Sequence, residues 1–122
     1  MAAILVVDDD QRFGTLCMRA LARGGHFVMT AENAERAHEI MKRIPVQVVI
    51  LDIRMTEVNG DEFFEVIKLF HRNAIVIVAS AYPVDEQRRQ IPNAYRYHDK
   101  ADGIYALVRK INDACTYAYN AV

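Results

Sequence analysis

Val46-Gln47-Val48-Val49-Ile50-Leu51-Asp52 is an apolar run broken only by Gln47 and closed by a carboxylate. Its length and its Val and Ile content suit a strand covered on both faces, as in the middle of a parallel sheet. A carboxylate at the C-terminal end of such a strand emerges where open α/β sheets bind ligands. Three other segments end in comparable chemistry. Ala2–Val7 runs into Asp8, Asp9 and Asp10, Ala74–Ala79 runs into Ser80, and Ala94–Asp99 delivers Lys100. Four strand ends therefore offer acids, a hydroxyl and an ammonium to one rim, with Asp52 at its centre.

Helical patterns separate these strands. Phe13, Leu16, Cys17, Ala20 and Leu21 lie at helical spacing and stop at Gly24-Gly25. A short strand follows over His26–Ala31. Asn33 then reads as the N-cap of a helix with Ala37, Ile40, Met41 and Ile44 on one face, ended by Pro45. After Asp52 comes a loop to Gly60, and Asp61 is placed to cap a helix carrying Phe63, Phe64, Ile67 and Phe70 as core residues. Val84–Gln90 is polar, has prolines on either side and amounts to two turns of short or frayed helix. Ala94–Tyr97 makes a last strand, and Asp102 caps a final helix with an apolar stripe through Ile104, Leu107, Val108, Ile111, Cys115 and Ala118. The pattern is βα five times over, which means a parallel sheet with helices on both faces. The expected architecture is α/β, a doubly wound flavodoxin-like (βα)5 sheet of strand order 2-1-3-4-5. That order sets the ends of the first and third strands side by side and brings Asp8 and Asp9 next to Asp52.

The 122 residues suit one domain, spanning 1–122. Fifteen Lys and Arg against sixteen Asp and Glu leave a net charge of -1 with no basic run, so nothing marks a nucleic-acid footprint. No stretch is long enough to span a membrane, and the N-terminal apolar run meets three acids too soon for a signal peptide, so a cytoplasmic protein is expected. Cys17 and Cys115 fall on apolar helix faces and read as buried free thiols. His26, His38, His71 and His98 share no ligand spacing and read as surface residues.

Three carboxylates within roughly 5 Å repel one another by about 3 kcal/mol per close pair at an effective dielectric of about 20. Such a cluster calls for a cation, and an all-oxygen ligand set suits Mg2+, with Mn2+ as the alternative, better than zinc. A metal there would neutralise the oxygens of a phosphoryl group in transfer and leave one Asp free as the nucleophile. Asp10, next to the first helix, reads instead as its N-cap.

The pieces ILVVDDD, VVILDIRM with Gly60 eight residues past Asp52, the Ser80-Ala81 pair and YRYHDK resemble, in order and spacing, the receiver domain of two-component response regulators. The likeness is to chemotaxis-regulator-like receivers, either stand-alone or excised from a longer protein. The resemblance implies that Asp52 accepts a phosphoryl group from a histidine kinase or phosphotransfer protein. It implies that Asp9 ligates Mg2+ directly, that Asp8 does so largely through water, and that Asp52 and the backbone carbonyl of Arg54 complete the protein's ligands. Ser80 and Lys100 would bind the phosphoryl group, with Ser80 and Tyr97 as the switch residues. The signal would pass to an effector protein or a fused output domain, and the domain would catalyse only its own phosphorylation and dephosphorylation. The sequence departs from the family pattern at Thr56 and Ala101, where prolines are usual.

Two other readings compete. Asp8-x-Asp10 also looks like the nucleophile motif of haloacid-dehalogenase-type phosphatases, which would leave Asp52 without a role. A degenerate receiver acting as a phosphorylation-independent adaptor is the other, and the intact acid set and Lys100 speak against it. Arg54 and Tyr82, each two residues beyond a site residue, are expected to cover the approach of water to a phosphoryl group on Asp52.

Overall fold

The Val, Ile and Leu runs become a five-stranded parallel sheet of order β2-β1-β3-β4-β5. The computed structural model describes residues 2–55 and 57–120, so Thr56 lies outside the described residues. The strands are β1 (Ala3–Val7), β2 (Phe27–Ala31), β3 (Val48–Leu51), β4 (Ile75–Ser80) and β5 (Arg96–Asp99). The helices are α1 (Gln11–Ala22), α2 (Ala34–Arg43), α3 (Gly60–Phe70), α4 (Val84–Gln90) and α5 (Ile104–Asn120). The expected architecture and strand order are the observed ones.

Strand residues alternate between two cores, as the two-residue period of a strand requires. Leu5, Val7, Val49, Leu51, Val76 and Val78 face the side covered by α2, α3 and α4. Ile4, Val6, Val48, Ile50, Ile77 and Ala79 face the side covered by α1 and α5. The central strand is thus buried on both sides, which is why its sequence does not alternate with polar residues.

Several boundaries differ from those expected. The run Val46–Asp52 contributes four strand residues, yet its ends stay tied to β1: Gln47 N–H donates to the Ala3 carbonyl at 3.0 Å and Asp52 N–H to the Val7 carbonyl at 3.1 Å. β5 begins at Arg96 rather than Ala94, because Asn93 in the left-handed region (φ 72°) still turns the chain. It continues to Asp99 and carries His98 into the interior. Asp61 is not the cap of α3; Asn59 holds that position without a side-chain bond, and the helix starts at Gly60. Asp102 does not cap α5 but closes a 3-10 turn over Lys100–Asp102, and Gly103 (φ 86°) separates that turn from the helix. Asn33 and Asp10 cap α2 and α1 as expected, accepting from Arg36 N–H at 2.8 Å and Arg12 N–H at 3.0 Å.

Some side chains also fall elsewhere than the periodicity suggests. Phe70 is 69% exposed and Leu16 is exposed, since each sits at the edge of its helix's apolar stripe. Cys17 is buried and Cys115 half-buried, both as free thiols. His98 is 1% exposed, not a surface histidine. Lys110 Nζ lies 3.1 Å from its Nδ1, and burial, then the Lys110 charge, pushes the imidazole down to about 4, so it stays neutral.

Candidate functional site

Asp8 and Asp9 follow β1 and Asp52 follows β3, and these two strands pair in register from Ile4 with Val48 to Val7 with Leu51. The pairing sets the three acids beside one another: one carboxylate oxygen from each lies within 4.8 Å of the others. At that spacing each pair repels by about 3 kcal/mol at an effective dielectric of about 20. Among the described residues, one side-chain cation pairs with the cluster. Lys100, delivered by β5, places Nζ 2.8 Å from Asp8 Oδ2 and 3.7 Å from Asp52 Oδ2.

Each acid has a different environment. Asp8 is buried, and its other oxygen, Oδ1, accepts the Asp10 N–H at 2.9 Å, so both of its oxygens are engaged. Asp9 is exposed at the mouth. Asp52 is half-buried, and its Oδ1 accepts the Ile53 N–H at 2.8 Å, which leaves Oδ2 as the oxygen facing Lys100. Burial, then the charge of Asp8, pushes the Asp52 carboxyl up to about 6 against the opposing pull of Lys100. For Lys100 burial works toward a lower value. The hydrogen bond to Asp8 and the charges of Asp52 and Asp8 outweigh it and hold the ammonium above its ordinary range.

Two residues to which the sequence reading assigned no role in the site hold it in place. The Lys100 ammonium sits 4.3 Å from the centroid of the Phe13 ring, a cation–π contact that fixes it from the α1 side. Gly60 packs directly under the Asp52 backbone: its N–H donates to the Ile53 carbonyl at 2.7 Å, and a Cβ there would stand 2.2 Å from the Asp52 carbonyl oxygen. Only glycine admits that approach. Its spacing from Asp52 was visible in the sequence, but the collision that requires it was not. Phe13 gave no signal beyond its place on an apolar helix face.

Ser80 ends β4 and is buried, with Oγ accepting the Tyr82 N–H at 3.2 Å. Tyr97 points inward and is 9% exposed; its hydroxyl donates to the Ile91 carbonyl and accepts the Ala94 N–H, while the Arg88 guanidinium lies 4.9 Å from its ring centroid. Arg54 is exposed, and its guanidinium sits 5.3 Å from the centroid of the Tyr82 ring. A cavity of about 540 Å³ opens beside Asp9, lined also by Arg54, Met55, Asn59 and Gln90. The structure thus brings Asp8, Asp9, Asp52 and Lys100 into direct register and leaves Tyr97 apart, locked into the α4–β5 corner.

The fold and the site together define a doubly wound α/β domain with an Asp-Asp-Asp-Lys cluster, graded from buried Asp8 to exposed Asp9, at the ends of its parallel strands. Residues 4–98 match the family model described as "Response regulator receiver domain". The chain belongs to that family of two-component signalling domains. It is 40% identical over 80 residues to the transcriptional regulatory protein ZraR of Klebsiella oxytoca, a match covering 65% of this chain and 18% of that protein. The chain therefore spans about a fifth of the length of such relatives. A response regulator protein of Thermotoga maritima, solved in complex with Mg2+-BeF, superposes with a TM-score of 0.84 at 30% identity, covering 93% of this chain and 99% of that one. A CheY-like receiver domain protein of Methanospirillum hungatei shares the fold, with a TM-score of 0.90 at 21% identity over 100% of this chain and 99% of that one.

Proposed function

We propose that this domain is a phosphorylation-controlled switch that takes a phosphoryl group from a histidine kinase or phosphotransfer protein onto Asp52. The observation that carries the proposal is the acid cluster itself, three carboxylates within 4.8 Å against, among the described residues, the one ammonium of Lys100. Its unbalanced charge and all-oxygen donor set fit Mg2+, which would be held by Asp9, Asp52 and the Arg54 carbonyl, with Asp8 acting through water. When bound, Mg2+ supplies neutralisation of the charge on the transferring phosphoryl oxygens.

The remaining chemistry belongs to the chain. An Asp52 carboxylate oxygen attacks phosphorus, the P–N bond of the donor phosphohistidine breaks, and an acyl phosphate forms. Lys100 gives up its bond to Asp8 and pairs with a phosphoryl oxygen. The Ser80 hydroxyl, now accepting from the Tyr82 N–H, turns to donate to another. Tyr97 is the switch that reads this change: its ring sits inward with the hydroxyl donating to the Ile91 carbonyl, and a shift of Ser80 toward the phosphoryl group opens space that favours this seat. Output passes to an effector protein or an attached output domain. The Mg2+-BeF complex of the Thermotoga relative supports this reading. A kinase donor of this kind would place the protein in the cytoplasm, and among the described residues no helix is long and apolar enough to cross a membrane.

The test is intact mass after incubation with acetyl phosphate and Mg2+. Wild type should gain one phosphoryl group and Asp52→Asn none. A retained gain in the variant would move the nucleophile to Asp8 and favour the phosphatase-like reading.

A further inference from the structure

His38 lies on α2 and His71 caps the C-terminal end of α3, thirty-three residues apart in sequence. The fold brings them together: His38 Nδ1 stands 2.9 Å from His71 Nε2, with ring centroids 5.0 Å apart and planes at 66°. Both rings are half-buried, and Phe70 packs edge-on to His38 with centroids 5.9 Å apart. Two imidazole nitrogens this close need something electropositive between them, because facing lone pairs repel. A single proton serves in the metal-free protein. A metal ion serves equally well, and we propose that His38 and His71 form a second metal site, for a divalent transition ion of the zinc or nickel class.

The geometry needs little adjustment. Zinc–imidazole bonds of about 2.0–2.1 Å at tetrahedral angles set the two nitrogens about 3.3 Å apart. A rotation of either half-exposed ring by a few tenths of an ångström at the nitrogen suffices. Among the described residues no third His, Cys, Asp or Glu joins the pair. Water therefore completes the sphere, and it has room: a cavity of about 740 Å³ opens beside His71, between Met41, Gln47 and Tyr117. A site with two protein ligands and open positions is exchangeable, unlike a closed structural zinc site.

The two sites divide cations by hardness. Carboxylates select Mg2+, whereas imidazole nitrogens favour zinc and nickel. They also lie at opposite ends of the strands: His71 lines a cavity with Pro45, Val46, Ala74 and Ile75, where β3 and β4 begin, whereas the acids follow the ends of β1 and β3. α3 joins them: it starts at Gly60 against the Asp52 backbone and ends at the His71 cap. A metal here clamps α2 to the corner between α3 and β4 without touching the acids.

The test is calorimetric titration of Zn2+, and separately Ni2+, into the full chain with the acids saturated by Mg2+. Wild type, His38→Gln, His71→Gln and a His26→Gln control are compared, with imidazole nitrogen NMR alongside. One ion should bind per wild-type chain and shift the His38 and His71 signals. Each of the two variants should lose affinity on the order of tenfold or more, while the control keeps it. Both rings are partly exposed, so the variants fold, and circular dichroism verifies that. Binding that survives either substitution unchanged, that leaves the two imidazole signals unmoved, or that disappears under saturating Mg2+ would overturn the proposal.

Discussion

Asp52 combines two properties that pull against each other. The proposed attack on phosphorus, or binding of a cation, would require it ionised, yet burial and Asp8 push its carboxyl up to about 6. Because the folded value lies above the ordinary 3.8, the metal-free fold holds this proton more tightly than the unfolded chain does. That contribution to stability is present at low pH and is lost as pH rises through 6. Mg2+ has the opposite dependence, since it must displace the proton and it relieves the repulsion that raised the carboxyl. At ten times its dissociation constant Mg2+ should stabilise the fold by about 1.4 kcal/mol at neutral pH, and by progressively less below about pH 6. Thermal melts with and without Mg2+, at about pH 5 and about pH 7.5, check this. Equal Mg2+ shifts at both values would mean that Asp52 does not ionise in this range. The acids themselves were legible in the sequence, because carboxylates ending apolar runs have nowhere to go but the sheet's rim. What the sequence did not disclose is the division of labour among them. Asp8 is saturated by Lys100 and the Asp10 N–H, Asp9 is open to solvent, and Asp52 lies between; these differences arise only from packing.

Among the elements, α4 most needs explanation, because seven residues with almost no apolar face make a marginal helix. Its boundaries match the expectation, and the reason it holds is Gln87. That side chain is fully buried, and Nε2 donates toward the carbonyls of Tyr82 at 2.7 Å, His98 at 2.9 Å and Ser80 at 3.4 Å. One amide thus ties α4 to the ends of β4 and β5. A polar residue in a polar helix carries no sequence signal for such a role. The misplaced start of β5 and the misassigned caps of α3 and α5 have the same origin. Each was decided by a single residue's backbone rather than by the pattern of side chains: left-handed turns at Asn93 and Gly103, and the close packing of Gly60 under Asp52. Gln87→Leu, close in volume but without the amide, should cost about 1–3 kcal/mol by leaving carbonyls buried and unpaired. It should also expose the α4 amides to hydrogen exchange before the rest of the fold. Urea denaturation and exchange mass spectrometry measure both. A variant as stable and as protected as wild type would show that α4 is held by something else.

For the molecule as a whole, the decisive quantity is how long a phosphoryl group on Asp52 would persist, and this depends on two loops that the sheet order makes neighbours. β3 and β4 pair directly, so the segments leaving them run side by side, and Arg54 meets Tyr82 across the gap with its guanidinium 5.3 Å from the ring centroid. The sequence suggested these two residues only by their equal offset from Asp52 and Ser80; their contact is a product of strand register. Hydrolysis of an acyl phosphate needs water in line behind phosphorus, opposite the Asp52 oxygen that departs. A guanidinium in contact with a phenol ring beside that approach would hinder the water, each side chain limiting the other's freedom. Acetyl-phosphate-loaded protein should therefore lose its phosphoryl group slowly in Mg2+ buffer. Removing both side chains with Arg54→Ala and Tyr82→Ala should speed that loss about tenfold, equivalent to about 1.4 kcal/mol of barrier. If the pair acts as a unit, each single variant should recover most of the double variant's effect, because one side chain without its partner no longer hinders the approach. Single-turnover dephosphorylation of the four proteins decides it. Equal rates throughout would leave the contact as surface packing, and additive single effects would mean that each side chain shields on its own.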